Sequence, residues 1–151
     1  MMMVIGSDHG GLELKAAVCE ELQRQQIQLT DVGTVGNDSV DYPDFAEKAA
    51  RLVATGKAEA GVLICGTGIG MSIAANKIPG IRAALVHDAF TAQMAKEHND
   101  ANILVLGGRV LTPEQGVQLV KVWLEASFAG ARHQRRLDKI AALERKSAAK
   151  S

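Results

Sequence analysis

Cys65-Gly66-Thr67-Gly68-Ile69-Gly70 sets a thiol immediately before three alternating glycines, and it follows the wholly apolar run Gly61-Val62-Leu63-Ile64. Glycines at this spacing let the chain turn tightly and bring N–H groups against an anion, and a helix beginning near Met71 adds its dipole. Gly66, Gly68, Ile69 and Gly70 therefore form a candidate cradle for an oxyanion or a phosphate. A thiol at a helix N-terminus has its thiolate favoured, whereas a free thiol of pKa about 8.5 is only slightly ionised at neutral pH. Cys65 is thus placed to act as a base or a nucleophile. Dinucleotide sites also use a Gly-rich strand-to-helix turn, with a longer spacing than this one, and tight turns that bind nothing are common.

Three further groups could do chemistry beside it. Asp8-His9-Gly10-Gly11 stands at the turn after the first strand, where its side chains should reach the same rim as Cys65; the plain role for Asp8 is a helix cap. His98-Asn99-Asp100 closes a helix and pairs a group that titrates near neutrality with a fixed donor and acceptor, although a helix-ending His also serves to offset the dipole. Arg132, Arg135 and Arg136 share one helix face within about 6 Å of axial rise, which matches a phosphate dianion, while a solvated basic face is the commoner origin of such a cluster. Arg109, in Gly107-Gly108-Arg109, is a further cation. The inventory is a thiol base, backbone donors, a histidine and arginines, with no metal-ligand spacing, so neither a metal nor a cofactor is expected. Proton abstraction next to a carbonyl needs that set.

The elements that must position these residues alternate short Val/Ile/Leu runs with segments of helical period, the pattern of a parallel sheet in an α/β fold. Strands are expected at 2–7, 28–32, 61–65, 81–86 and 103–106, the last three of the buried kind. The first helix places Leu12, Ala16, Cys19 and Leu22 on one stripe, which makes Cys19 core filling. Residues 33–43 read as a loop; Asp44 with Glu47 resembles a capping box opening a helix that ends at Thr55 and Gly56. An amphipathic segment covers 89–98. Thr112, Pro113 and Gln115 open a helix reaching Phe128, and a basic helix covers 132–145. One domain, 1–146, is expected, with a short polar tail at 147–151.

Bulk composition narrows the partners. A chain of 151 residues, 47% apolar, builds one core. With 17 basic and 17 acidic residues it has no electrostatic reason to bind nucleic acid or an anionic membrane. Aromatic side chains are 3% of the chain, too few for recognition by stacking. Its two cysteines fit neither a disulfide framework nor a zinc site, which suits a reducing cytoplasm. No apolar run approaches the ~18 residues of a membrane span, and the start Met1-Met2-Met3-Val4-Ile5 lacks a basic leader. The expectation is a cytoplasmic protein whose partner is a small molecule or a second copy.

Gly6-Ser7-Asp8-His9, Asp41-Tyr42-Pro43, Ile64 to Gly70, Ala74-Ala75-Asn76-Lys77, His98-Asn99-Asp100 and Gly130 to Arg136 together resemble type B ribose-5-phosphate isomerase, of the ribose/galactose-6-phosphate isomerase family, from about Val4 to Glu144. The resemblance implies a Rossmann-like three-layer α/β/α domain with a five-stranded parallel sheet. It implies a homodimer whose active sites lie between subunits, with pairing of dimers into tetramers left open. Carried onto matching positions, Cys65 is the base for C1 and C2, and the backbone from Gly66 to Gly70 holds the enediolate. His98 opens the furanose ring with help from Asp8 or Thr67. His9, Arg109, Arg132 and Arg136 take the phosphate, Asn99 contacts substrate oxygens and Tyr42 lines the pocket. One branch of the family lacks this thiol and has a glutamate at the position of Met71, so Cys65 with Met71 marks the cysteine branch. Gly10 and Gly108 stand where many relatives carry alanine or another small residue.

The substrate stays open among ribose 5-phosphate, galactose 6-phosphate, allose 6-phosphate and tetrose phosphates. A binder of phosphosugars or nucleotides with no catalysis would use the same glycine loop and would not need Cys65. A redox role for Cys65 lacks a resolving partner. Chemistry at Cys65 also requires its sulfur to meet a cleft at the lip of the glycine nest.

Overall fold

A computed structural model describes residues 1–149. Five parallel strands, β1 (Met2–Ser7), β2 (Gln28–Asp31), β3 (Ala60–Cys65), β4 (Ala83–Leu85) and β5 (Ile103–Gly107), form one sheet in the order β2-β1-β3-β5-β4. The helices are α1 (Leu12–Arg24), α2 (Tyr42–Ala54), α3 (Ile69–Ala75), α4 (Ala89–Glu97), α5 (Pro113–Glu125) and α6 (Arg132–Ala149), with a 3-10 turn at His9–Gly11. Because successive side chains alternate across a strand, β3 sends Val62 and Ile64 to one face and Leu63 and Cys65 to the other. The first face packs under α1, α4 and α5 through Leu14, Val18, Ala92, Ala95, Val120 and Trp123. The second packs under α2 and α3 through Ala46, Ala49, Ala50, Met71 and Ala75. These are the three expected layers.

Local chemistry fixes the boundaries. Thr112 accepts the Gln115 N–H at 3.1 Å while the Gln115 side chain accepts the Thr112 N–H at 2.8 Å, closing the expected capping box. That helix ends at Glu125, three residues short of Phe128. α2 opens at Tyr42 with Asp41 as N-cap and Pro43 in its first turn, so Asp44 and Glu47 lie inside the helix and no capping box forms there. On α1 the buried stripe is Leu14, Val18 and Leu22 together with Lys15 and Glu21; Leu12 and Ala16 lie outside it, and Cys19 packs half-buried against the core. Residues 147–149, expected as tail, continue α6, and 150–151 lie outside the described residues.

β4 differs from its expected buried strand: it is three residues long, half-buried, and at the margin of the sheet. Its outward backbone is met by Asn76, whose Oδ1 accepts the Ala83 N–H at 2.9 Å and whose Nδ2 donates to the Ala83 carbonyl at 3.0 Å. No helix among the described residues is long and apolar enough to cross a membrane.

Candidate active site

Ligands of open α/β sheets bind beyond the carboxyl ends of the strands, and here the loops after β1, β3 and β5 meet at that rim. The Gly108 N–H donates to the Cys65 carbonyl at 2.8 Å, the Arg109 N–H to the Gly66 carbonyl at 2.9 Å, and the Asp8 N–H to the Ile64 carbonyl at 3.2 Å. A methyl on Gly108 would sit 2.5 Å from the Gly10 carbonyl oxygen, so alanine there would have to spread the two loops. One on Gly66 would lie 3.2 Å from Nη1 of Arg109, which places that guanidinium beside the glycine loop. Gly68 holds φ +82°, a conformation that L side chains rarely adopt. Thr67 is exposed, and its Oγ1 accepts the Ile69 N–H at 3.2 Å.

Asp8 is buried and its carboxylate accepts the Gly10 N–H at 2.9 Å, so the plain capping role is filled. His9 is half-buried, and its Nδ1 accepts the Val40 N–H at 3.3 Å. Tyr42, at the start of α2, rests its ring directly against Gly70. Ile69 points its side chain outward, 53% exposed, so only its backbone can serve an anion.

Cys65 corrects one expectation. The residue is 5% exposed, so the sulfur is not the expected open group at the lip, and only a small part of the residue reaches the surface. The cause is its place at the end of the central strand, on the face packed by Val4, Leu63 and Met71. Its Sγ accepts the Gly68 N–H at 3.2 Å, so the sulfur belongs to the same turn as the donors. Cys19 is half-buried; burial, reinforced by Asp31 and opposed by Lys15, pushes its thiol up and away from ready ionisation.

The remaining candidates lie elsewhere. α4 runs from the carboxyl end of β4 back to the start of β5, so His98, its C-cap, stands at the amino edge of the sheet. The approach to α6 docks there through the Ala129 N–H on the Glu97 carbonyl at 2.9 Å, and the Gly80 N–H donates to Glu144 at 3.0 Å. His98, Asn99, Arg132 and Arg136 are thereby separated from Cys65 by the length of β5, roughly 13 Å or more at about 3.3 Å per residue. One chain brings Cys65, Thr67, Asp8, His9, Tyr42 and Arg109 together, and does not bring the second set to them.

Three residues that the sequence did not single out belong to these arrangements. His133 is buried and stacks on His98; burial, then the neighbouring His98, Arg132 and Arg136, hold its imidazole below the usual 6.5. Val40 supplies the N–H on His9, and Lys15 anchors the loop that carries it. A lysine beside Leu14 on the stripe of Val18 and Leu22 was the available signal for Lys15; a backbone donor leaves none.

A Rossmann-like sheet with a thiol and a glycine loop beyond its central strand defines an enzyme of the isomerase class when set beside known proteins. The family model described as Ribose/Galactose Isomerase matches residues 3–140. Ribose-5-phosphate isomerase B of Escherichia coli is 41% identical over 95% of this chain and 97% of its own. The structure of Clostridium thermocellum ribose-5-phosphate isomerase B superposes with a TM-score of 0.96 at 50% identity, covering 97% of this chain and 99% of that one. That of Mycoplasma genitalium ribose-5-phosphate isomerase B with bound ribulose-5-phosphate gives 0.92 at 43%, covering 95% and 96%. The chain belongs to the ribose/galactose isomerase family.

Proposed function

We propose that this protein interconverts ribose 5-phosphate and ribulose 5-phosphate in the cytoplasm, with Cys65 as the proton-transferring base. The observation that carries the reading is the Gly68 N–H directed at the Cys65 sulfur within the glycine loop. That donor is a partner for an anionic sulfur, and helix geometry leaves the first-turn N–H groups at Gly70 and Met71 without an intrahelical acceptor. In the forward direction the Cys65 thiolate takes the C2 proton of the open-chain aldose, the negative charge moves to O1 of the enediolate against those donors, and the proton returns at C1. A hydroxyl proton passes from O2 to O1, leaving the ketose carbonyl at C2. His98 protonates the ring oxygen at opening, assisted by Asp8 or Thr67. His9, Arg109, Arg132 and Arg136 hold the phosphate, Asn99 contacts substrate oxygens and Tyr42 walls the pocket.

The two edges meet in a homodimer with each site built from both chains. Ile69, Ile73, Phe90 and Val110, all at least 53% exposed, surround the rim that carries Cys65, and α6 leaves Ile140 and Leu143 at least 50% exposed beside the arginines. Pairing the amino edge and α6 of one copy with the rim of another covers both apolar sets and places His98 opposite Cys65.

The 5% exposure of Cys65 favours a second reading, in which the thiol only fills space beneath a phosphosugar-binding loop. Cys65→Ala separates the two. As a base, its loss cuts exchange of the C2 hydrogen with solvent by a factor of about 10² to 10⁴ and leaves phosphate-ligand binding nearly intact; exchange undiminished in the variant would remove Cys65 as the base, and no exchange in the wild type would establish the binder. Comparing kcat/KM over four-, five- and six-carbon sugar phosphates decides the substrate, and preference for a hexose phosphate would displace ribose 5-phosphate.

A further inference from the structure

Lys15 is a buried charge that the reaction does not use. Its side chain is 7% exposed, although a helix lysine ordinarily carries its ammonium out to water. The ammonium instead spends its donors on Asp31, at 3.0 and 2.8 Å to the two carboxylate oxygens, and on the Thr34 carbonyl at 2.6 Å. Burying a charge costs several kcal/mol unless such partners offset it, so the arrangement fixes geometry as well as charge. What it fixes is the start of the 32–41 loop. Asp31 also accepts the Gly33 N–H at 2.8 Å, while the Ser7 N–H donates to Gly33 and the Thr34 N–H to Ser7, two residues before His9. At its far end the same loop presents the Val40 N–H to Nδ1 of His9.

An N–H aimed at Nδ1 requires a lone pair there, and a neutral imidazole then carries its proton on Nε2. The other tautomer would set the Val40 N–H against an Nδ1 proton and leave Nε2 as an acceptor, unable to donate to an anion. We infer that Lys15 is a positioning residue: by pinning the 32–41 loop to Asp31 and Thr34 it keeps the Val40 N–H on His9 and so presents Nε2–H toward the substrate. The consequence for the substrate rests on the proposed assignment of His9 to the phosphate; the tautomer does not.

The test is ¹⁵N NMR of the His9 ring in the full-length protein at a pH where the ring is neutral, joined to steady-state kinetics on ribose 5-phosphate. Wild type and Lys15→Arg should show the Nε2–H form. Lys15→Met, and Val40→Pro, which deletes the donor without touching the buried lysine, should both populate the Nδ1–H form. KM should rise roughly tenfold, about 1.4 kcal/mol of binding, in both, with kcat changed little and Lys15→Arg restoring KM. A wild-type ring protonated on Nδ1, or a ring unchanged in either Lys15→Met or Val40→Pro, overturns the inference. A tautomer that shifts in both while KM stays put upholds the positioning role and removes His9 from the phosphate site.

Discussion

The imidazoles of His98 and His133 lie face to face, 4.1 Å between centroids and 13° between planes, where α4 ends and α6 begins. Two rings this close oppose being cationic together, and Arg132 and Arg136 add to the same field. His133 is the more enclosed of the two, and burial and these neighbours hold its imidazole below the usual value.

This fixes the sign of a pH effect. Because the folded protein holds His133 below the usual 6.5, the unfolded chain binds more protons as pH falls past that value. The stability that neutral His133 contributes is complete above the unfolded pKa and is lost as pH drops through the folded one. Urea midpoints should fall between pH 7.5 and 5.5, and His133→Phe should flatten that decline; an equally steep decline in the variant would show that other groups cause it.

A shared site predicts complementation. Cys65→Ala and His98→Asn should each be inactive alone. Mixed under subunit exchange, half of the dimers are hybrids with one intact site of two, so activity should recover to about a quarter of wild type. No recovery from chains shown to have exchanged would place both residues' roles within one chain.

Two glycines in the loop should respond differently to a methyl group. Gly68→Ala meets Leu85 at 2.5 Å and the Leu106 backbone at 3.1 Å while holding φ +82°, which should cost about 2–4 kcal/mol in denaturation. For Gly70→Ala the three nearest atoms all belong to the side chain of Tyr42, which is 38% exposed and can swing aside. Its stability should stay within about 1 kcal/mol of wild type while KM rises, because the pocket wall moves.

Thr112→Ala removes one half of the capping box on α5, at a residue with no part in the proposed chemistry. Calorimetry should register a loss of about 1 kcal/mol, with turnover unchanged.

Strands at the sheet centre were legible because burial on both faces writes an unbroken apolar run, as in Leu63 and Ile64. β4 reads as longer and buried in the sequence because Ile81 and Val86, both buried, flank the strand rather than belong to it. α2 begins early because Asp41 and Pro43 start a helix two residues ahead of the Asp44–Glu47 pair. At the site, the rim group around Cys65 followed from parallel topology. The depth of its sulfur did not, since one position at a strand end can lie over or under the turn that follows. The separation of His98 from Cys65 is implicit in the helix direction, and Lys15 is hidden because the stripe of Leu12, Ala16 and Cys19 lies one residue round the helix from the buried one.

Asn76 has a consequence beyond holding α3 to the sheet. By occupying both outward backbone groups of Ala83 with its amide, it stands where a sixth strand would have to pair. Stray extended peptides and partly unfolded copies therefore meet a blocked template at that margin.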